Sequence, residues 1–335
     1  MREYELEVLE RYEIGVKGTR RIRGAFFCDT EEGAMLLKET NISEKRALSM
    51  YFAESRLESA GMSVDTPVFT KDGEILAVSR DGTKYMMKKW YAGRECDMKR
   101  EAELARAAAN LAVLHSKLNQ QETGSLTGED AGLTVRRSPL EEIRRHNREL
   151  KKVRTFIRRR VAKNEFEYLF LNSFDKMYSM AEMVERRLEE SGCMKLYERS
   201  VEEGRLTHGD YNYHNLLILP GGIGITGFEH MSINIQVHDL YYFIRKAMEK
   251  FHWKENTGKI ILEAYERERR LGNAERMYIG LCLAYPEKFW KTASSYYHSN
   301  KAWLPEKSVE KLETVVQQWD EKYRFLKNIF ALDLA

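Results

Sequence analysis

Hydrophobic and polar residues alternate in short runs over about the first 90 residues. The segments RRIRGAFFCDT, GAMLLKET, GEILAVS and KYMMKKW are apolar runs separated by acidic and glycine turns, a pattern typical of β-strands. One helix interrupts them, because Ser43 is a suitable N-cap, Gly61 a suitable stop, and apolar residues from Ala47 to Leu57 keep helical spacing. The pattern predicts a strand-rich N-lobe over residues 1–90, an antiparallel sheet with one helix over residues 43–60.

From about residue 97 the apolar residues recur at helical spacing. Leu104, Ala108, Leu111 and His115 fall at i, i+4, i+7 and i+11, which predicts an amphipathic helix. The segment LLILPGGIGITGF instead has two apolar runs around a Gly-Gly pair, as in a β-hairpin. We expect a larger helical C-lobe over residues 91–335 that carries this hairpin. Its further helices are predicted over residues 138–163, 165–190, 237–250, 257–270 and, in pieces, 275–331.

Composition places the chain among globular proteins. It has 335 residues, of which 43% are hydrophobic and 32% charged, and this length allows a full core and two lobes. The four cysteines are far apart and form no CxxC pair, so a reducing compartment is expected. The N-terminus is charged from its second residue and no stretch reaches 18 apolar residues, so we expect neither a signal peptide nor a membrane span.

Positive charge is concentrated in residues 136–163. This segment has 12 lysines and arginines against 3 glutamates, a formal charge of +9 in a chain whose net charge is +3. The preferred interpretation is a helix whose apolar side packs while its basic side is solvated. The alternative is a surface for an anionic partner. Nucleic acid is not expected, because the overall charge is balanced and no nucleic-acid motif accompanies the run.

The candidate chemistry lies in residues 205–230, RLTHGDYNYHNLLILPGGIGITGFEH. Phosphoryl transfer needs a carboxylate to accept the proton of the attacking hydroxyl, oxygen ligands for magnesium and a lysine for the nucleotide phosphates. Asp210 is the candidate base, Asn215, five residues later, the candidate magnesium ligand, and His208 a supporting residue. The spacing alone is common, but His-Gly before it and an apolar hairpin after it make the pattern specific. The alternative is a polar loop that caps a helical domain.

A candidate phosphate lysine lies upstream. Lys38 ends the apolar run MLLKE, and a carboxylate on the next helix should pair with it. Glu44 and Glu54 are the candidates, and we prefer Glu44 because it shares a predicted face with Leu48 and Tyr51. A solvated lysine at a strand end is the alternative for Lys38. No glycine-rich phosphate loop is evident, since the glycines of EIGVKGTRRIRGAF are widely spaced.

Several segments resemble a known family. HGDYNYHN, with LAVLHSKL upstream, resembles the aminoglycoside phosphotransferase and choline kinase branch of the protein kinase-like fold. KGTRRIRGAFFCDTEEG, SEKRALSMY, YAGRECDM, VHDLYYFIRKAMEK and AYPEKFWKTASSYYHSNKAW are similar to the CotS family of bacterial spore coat proteins. The resemblance covers about residues 16–303. It implies an α+β, kinase-like bilobal fold, ATP and Mg²⁺ as cofactors, spore coat proteins as partners, and cytoplasmic synthesis followed by deposition in the spore coat.

The resemblance also identifies one departure. It implies that Asp239 braces the catalytic loop, and it puts Gly227 where the family has a metal-binding Asp. A glycine has no side-chain ligand, and losing such an electrostatic contact costs roughly 10²–10³-fold in rate. Glu229 is the candidate substitute ligand, because residues 227 and 229 of an extended strand project on the same face.

Two functions remain open from the sequence. The favoured one is a spore coat-associated, kinase-like protein that binds nucleotide or is degenerate in catalysis because of Gly227. The alternative is an active, ATP- and Mg²⁺-dependent phosphotransferase of the aminoglycoside or choline kinase type. Its acceptor would be an alcohol group of a small molecule or sugar.

Overall fold

A computed structural model describes residues 3–22, 24–119, 132–299 and 306–333. Contacts divide the chain into two compact units. The first comprises residues 1–136, 200–243 and 263–269, and the second comprises residues 137–199, 244–262 and 270–335. These units do not coincide with the predicted lobes 1–90 and 91–335, because the catalytic-loop hairpin shares a sheet with earlier strands. The lobe division itself stays a prediction.

An antiparallel sheet forms the first part of the first unit. Its order is β1-β2-β3-β7-β5, with β6 beside β7. Helix α1 (Glu3–Glu10), which the sequence analysis missed, contributes Val8 and Leu9 to the core on one face of this sheet. The strands are β1 (Val16–Ile22), β2 (Ala25–Thr30), β3 (Gly33–Glu39), β5 (Pro67–Val68), β6 (Ala77–Val78) and β7 (Lys84–Lys89).

The register of β3 against β7 places two lysines on the same face of the sheet. Leu36 lies opposite Lys88, and Lys38 lies opposite Met86. Directly opposed residues share a face, as do residues two apart along a strand. Lys38 and Lys88 are therefore diagonal neighbours on one face.

Helix α2 (Glu44–Ser59) follows β3, as predicted. The Ser43 hydroxyl accepts a hydrogen bond from the Arg46 backbone N–H at 3.2 Å, which caps the helix. The buried residues of α2 are Ala47, Ser49, Met50, Ala53, Glu54 and Leu57. This helix therefore buries one carboxylate among small and apolar side chains.

The predicted hairpin is confirmed as β10 (Leu216–Leu219) and β11 (Gly222–Ile225), paired antiparallel. It belongs to a four-stranded sheet of order β4-β11-β10-β8, in which β4 (Ser63–Val64) pairs parallel to β11 and β8 (Arg94–Glu95) pairs antiparallel to β10. A second pair joins β9 (Leu206–Thr207) to β12 (Ser232–Ile233), and α3 (Glu101–Asn119) packs against β9. These strands fix both ends of the loop that carries Asp210.

The second unit is helical. Its core contains the aromatic residues Phe166, Phe170, Phe174 and Phe289. Helices α7 (Val237–Lys250) and α8 (Glu255–Glu268) contribute to both units. The remaining helices are α4 (Pro139–Arg159), α5 (Glu165–Glu190), α6 (Cys193–Glu202), α9 (Asn273–Ala284), α10 (Glu287–His298), α11 (Glu306–Gln317) and α12 (Trp319–Phe330).

The α+β class predicted from the sequence is confirmed, with the strands gathered in the first unit beside helices α1 to α3, and with a helical second unit. Only α1 and α6 among the described helices were not predicted. Within the described ranges, none of the helices is both long enough and apolar enough to cross a membrane.

Candidate active site

The loop after β9 is held by the neutral ring of His208. Its Nδ1 accepts a hydrogen bond from the backbone N–H of Asp210 at 3.2 Å, and its Nε2 lies 3.1 Å from the carbonyl oxygen of Thr226. One nitrogen accepts and the other donates, which is the pattern of an uncharged imidazole. Burial lowers the pKa of His208 and favours the same state. His208 therefore supports the loop structurally.

The Asp210 carboxylate is fixed by two amides. The side-chain amide of Asn212 donates to Asp210 Oδ1 at 2.9 Å, and that of Asn215 donates to Asp210 Oδ2 at 2.9 Å. The structure thus brings Asp210 and Asn215 together as the sequence predicts. Sequence analysis missed Asn212, although an asparagine in a short loop often closes a turn with the N–H two residues on, as its Oδ1 does with His214 at 2.9 Å.

Asp239, at the start of α7, accepts hydrogen bonds from the N–H groups of His208 at 2.7 Å and Gly209 at 2.9 Å. His115 of α3 lies 3.4 Å from the same carboxylate. Burial opposes ionisation, but the His115 contact and the Gly209 N–H keep the pKa of Asp239 below its ordinary value. The bracing contact that the resemblance implies is therefore made by an ionised, buried carboxylate.

Gly209 is required where it stands. Its φ is +80°, and a Cβ there would overlap the carbonyl of His230. A left-handed backbone and this close approach both exclude a side chain.

Gly227 is also constrained by its surroundings. It has φ +84° and ψ +44°, and a Cβ there would lie 3.0 Å from Cγ and Oδ1 of Asn215. Its backbone N–H donates to Asp65 Oδ2 at 3.0 Å. The position at which the resemblance implies a metal-binding Asp is therefore a left-handed glycine that is hydrogen-bonded to a carboxylate from a distant part of the chain.

That carboxylate is one member of a buried ion cluster. Lys88 Nζ lies 3.0 Å from Asp65 Oδ2 and 3.4 Å from Glu229 Oε1. Lys38 Nζ lies 3.4 Å from the same Glu229 oxygen. The Lys88 side chain is 1% exposed and that of Lys38 is 49% exposed. One lysine is therefore an internal cation, while the other reaches solvent.

Electrostatics support full ionisation of Lys88 and Glu229. Burial alone would lower the pKa of Lys88, but Asp65, Glu229 and Glu54 together raise it above its ordinary value. Burial would raise the pKa of Glu229, whereas Lys88 and Lys38 lower it to about 2. For Asp65, burial prevails over Lys88 and raises its pKa to about 6. Glu229 Oε1 contacts both Lys38 and Lys88. Lys88 and Glu229 are therefore both ionised in the folded protein.

The preference for Glu44 as an inward-facing partner of Lys38 is wrong. Glu44 is exposed in the first turn of α2, whereas Glu54 is completely buried. The buried side of the helix is that of Ala47, Met50 and Leu57, which includes Glu54. The contact partner of Lys38 within the described residues is Glu229.

Residues 227 and 229 do not lie on an extended strand, which was the reason for proposing Glu229 as a substitute metal ligand. Strand β11 ends at Ile225, and residues Phe228–His230 form a 3₁₀ turn. The alternation of an extended strand therefore does not apply to residues 227 and 229. The Glu229 carboxylate instead receives Lys38 and Lys88.

Arg46 of α2, which sequence analysis missed, holds the backbone of this turn. Its guanidinium donates to the carbonyl oxygen of Glu229 at 2.8 and 3.2 Å and to that of Met231 at 2.7 Å. It also reaches the carbonyl of Gly132 at 3.3 Å. The planar donor array of an arginine suits such convergent acceptors.

Solved structures with this architecture define the class of protein. The aminoglycoside phosphotransferase of Alicyclobacillus acidocaldarius has a TM-score of 0.84 and 17% identity, over 96% of this chain and 94% of that chain. The amicoumacin kinase hAmiN, solved with AMP-PNP, Ca²⁺ and Ami, has a TM-score of 0.63 and 14% identity, over 97% and 94% of the two chains. The fold is therefore the protein kinase-like fold of the aminoglycoside phosphotransferases.

The sequence also defines the family. Residues 5–329 match the family described as "Spore coat putative kinase YutH", and the chain belongs to that family. Spore coat protein S of Bacillus subtilis is 21% identical over 318 residues, which are 94% of this chain and 89% of that protein. The predicted resemblance to CotS-type spore coat proteins is confirmed.

The carboxylates beside Gly227 are poorly placed for the magnesium ion that the resemblance implies, because an ammonium group already contacts them. Asp65, which contacts Gly227, and Glu229 are both paired with Lys88. Magnesium prefers octahedral oxygen ligands, whereas the described carboxylates beside Gly227 already neutralise an ammonium group.

We predict that Gly227→Asp, which would introduce a carboxylate at this position, destabilises the folded protein. A side chain at this left-handed position would strain the backbone and crowd Asn215, so unfolding free energy should fall by about 1–3 kcal/mol. Urea unfolding measures this. Gly221→Asp, at a glycine of the same hairpin with open space around its Cβ position, is the control and should change stability little. Equal losses in the two variants would contradict this account.

We also predict a pH effect at Glu54. Its carboxylate oxygens are buried without a hydrogen-bond partner in the described chain, and burial raises its pKa well above the ordinary 4.5, despite the charge of Lys88. The folded protein therefore keeps a proton that the unfolded chain loses, so this group makes stability fall as pH rises above that value. Glu54→Gln should reduce this decline above pH 4.5, by about 1 kcal/mol for each pH unit over which the buried carboxyl stays protonated.

Denaturant titrations at several pH values measure this slope. Glu44→Gln, on the exposed first turn of the same helix, controls for loss of a surface charge. A slope changed equally by both substitutions would show that Glu54 is not the group responsible.

Proposed function

We propose that this protein is a kinase-like component of the bacterial spore coat that binds nucleotide but does not carry out magnesium-dependent phosphoryl transfer. Its family and its similarity to spore coat protein S support association with other coat proteins and deposition in the spore coat. The fold supports nucleotide as the ligand, since the amicoumacin kinase with this fold binds AMP-PNP.

The observation that carries the loss of transfer is the contact of Lys88–Asp65 with Gly227. Asp65 Oδ2 accepts both the Lys88 ammonium, at 3.0 Å, and the Gly227 N–H, at 3.0 Å. Because the Lys88 ammonium already contacts Asp65 and Glu229, these carboxylates are not free to ligate a metal ion. The site therefore combines a missing ligand with a resident ammonium group, and either change alone weakens metal binding.

Lys38 is the residue we propose for nucleotide phosphates. Its side chain is half-exposed, and its ammonium group is 3.4 Å from the Glu229 carboxylate of the cluster. It lies on the same sheet face as Lys88. A lysine that is both anchored and accessible provides a point charge for a phosphate.

An active phosphotransferase acting on a small-molecule or sugar hydroxyl is the second candidate. The ordered pair of Asp210 and Asn215, joined by a 2.9 Å hydrogen bond, favours it. A positioned carboxylate of this kind is what a general base requires. The two proposed functions differ in one measurable respect. Substitution of Asp210 should lower the rate of ATP turnover in an active phosphotransferase, and should have no effect in a protein that only binds nucleotide.

We predict that ATP raises the melting temperature equally with 5 mM Mg²⁺ and with EDTA. A nucleotide at 100 times its Kd stabilises the folded state by about 2.7 kcal/mol. Lys38→Met should weaken this stabilisation. Lys84→Met removes an exposed lysine of the neighbouring strand β7 and should leave it unchanged. A shift that requires Mg²⁺ would contradict metal-independent binding, and no shift at millimolar ATP would exclude nucleotide as the ligand.

We further predict no phosphoryl transfer above background. Release of ADP from ATP and Mg²⁺, with a panel of amino alcohols, aminoglycosides and sugars, should be the same for the wild type and Asp210→Asn. Any activity of the wild type that Asp210→Asn reduces by 10²-fold or more would overturn the proposal and establish the phosphotransferase.

A further inference from the structure

The basic run of residues 136–163 forms a groove on the second unit. Lys151, Lys152 and Arg159 of α4 and the Arg160 that follows this helix line it, together with Tyr297 of α10, and the open groove encloses about 570 Å³. None of its described lining residues is acidic. Four cations thus share one concave surface without a carboxylate between them, whereas a solvated helix face usually mixes both signs.

Two of these cations are available to a partner. Lys151 lies 3.6 Å from Glu182, and Arg160 lies 3.1 Å from Glu167. Lys152 and Arg159 are exposed, and neither has an ion-pair partner in the described chain. The groove therefore has two unneutralised charges, Lys152 and Arg159. Each is next in sequence to a cation that is held by an ion pair, Lys151 or Arg160.

The aromatic floor of the groove argues against stacking with nucleic-acid bases. The rings of Phe156 and Tyr297 pack edge to face, with centroids 5.6 Å apart, and both lie half-buried against the helical core. Arg160 covers the Phe156 ring at 6.0 Å. Single-strand binding needs open ring faces on which bases can stack, and these rings are engaged at their faces or edges.

We propose that this groove binds an acidic segment of a partner protein in an extended conformation. Lys151 and Arg159 are eight residues apart on α4, a rise of about 12 Å. An extended chain covers that distance in four residues, and every second side chain points to the same side. Acidic residues at positions i and i+4 of such a segment would meet the two cation pairs, with apolar atoms between them over Phe156 and Tyr297.

The groove consists of residues of the second unit alone, so this inference is independent of nucleotide binding. Its test uses the full-length protein and a fluorescein-labelled peptide of ten glutamates, with binding measured by fluorescence anisotropy. We expect saturable binding that weakens as salt is raised. The double variant Lys152→Glu/Arg159→Glu should weaken it at least tenfold, because two attractive contacts become repulsive.

Arg186→Glu/Lys195→Glu is the matched control. These two residues are exposed on α5 and α6 and have no ion-pair partner in the described chain, so the net charge changes equally. Its affinity should stay within twofold of the wild type, and circular dichroism verifies that both variants fold. Equal losses in both variants, or no binding by the wild type, would overturn the proposal. Tighter binding of a ten-residue oligothymidylate than of the peptide would assign the groove to nucleic acid instead.

Discussion

The contact between Lys88 and Asp65 determines the character of the whole site. Two charges that are almost fully removed from water are stable only when each has close partners. Asp65 has the Lys88 ammonium and the Gly227 N–H, and Lys88 has in addition the Glu229 carboxylate. Removing one member of such a buried pair typically costs about 3–5 kcal/mol. The cluster therefore contributes to stability by joining β7, the segment after β4 and the turn after β11.

The left-handed glycine at 227 and the ion cluster depend on each other. A left-handed glycine at 227 allows its N–H to meet Asp65, and a side chain there would collide with Asn215. The loop after β9 is well ordered, with Asp210 held between two asparagine amides and the loop backbone braced by Asp239. The charges beside Gly227 are balanced separately, within the cluster of Lys88, Asp65 and Glu229.

Local sequence patterns predicted the strands, most of the helices and the loop that carries Asp210, because each of these depends on residues that are close in sequence. The spacing from Asp210 to Asn215 and the hairpin after it follow from neighbouring residues. The partners of Lys88 do not, since Asp65 and Glu229 come from separate segments that only the sheet registers bring together. The error over Glu44 has a different cause. A helix turns about 100° per residue, so a small misjudgement of the buried side exchanges an exposed carboxylate for a buried one.

The guanidinium of Arg46 has a consequence for how the first unit can move. Regulated protein kinases control activity by displacing the helix that follows the phosphate-lysine strand. Here that helix is α2, and its arginine grips the carbonyls of Glu229 and Met231. Any outward swing of α2 would strip those carbonyls of their donor, at the cost of an unsatisfied polar group for each. The helix is therefore tied by three hydrogen bonds to the turn that follows the hairpin, and displacing it requires that all three break.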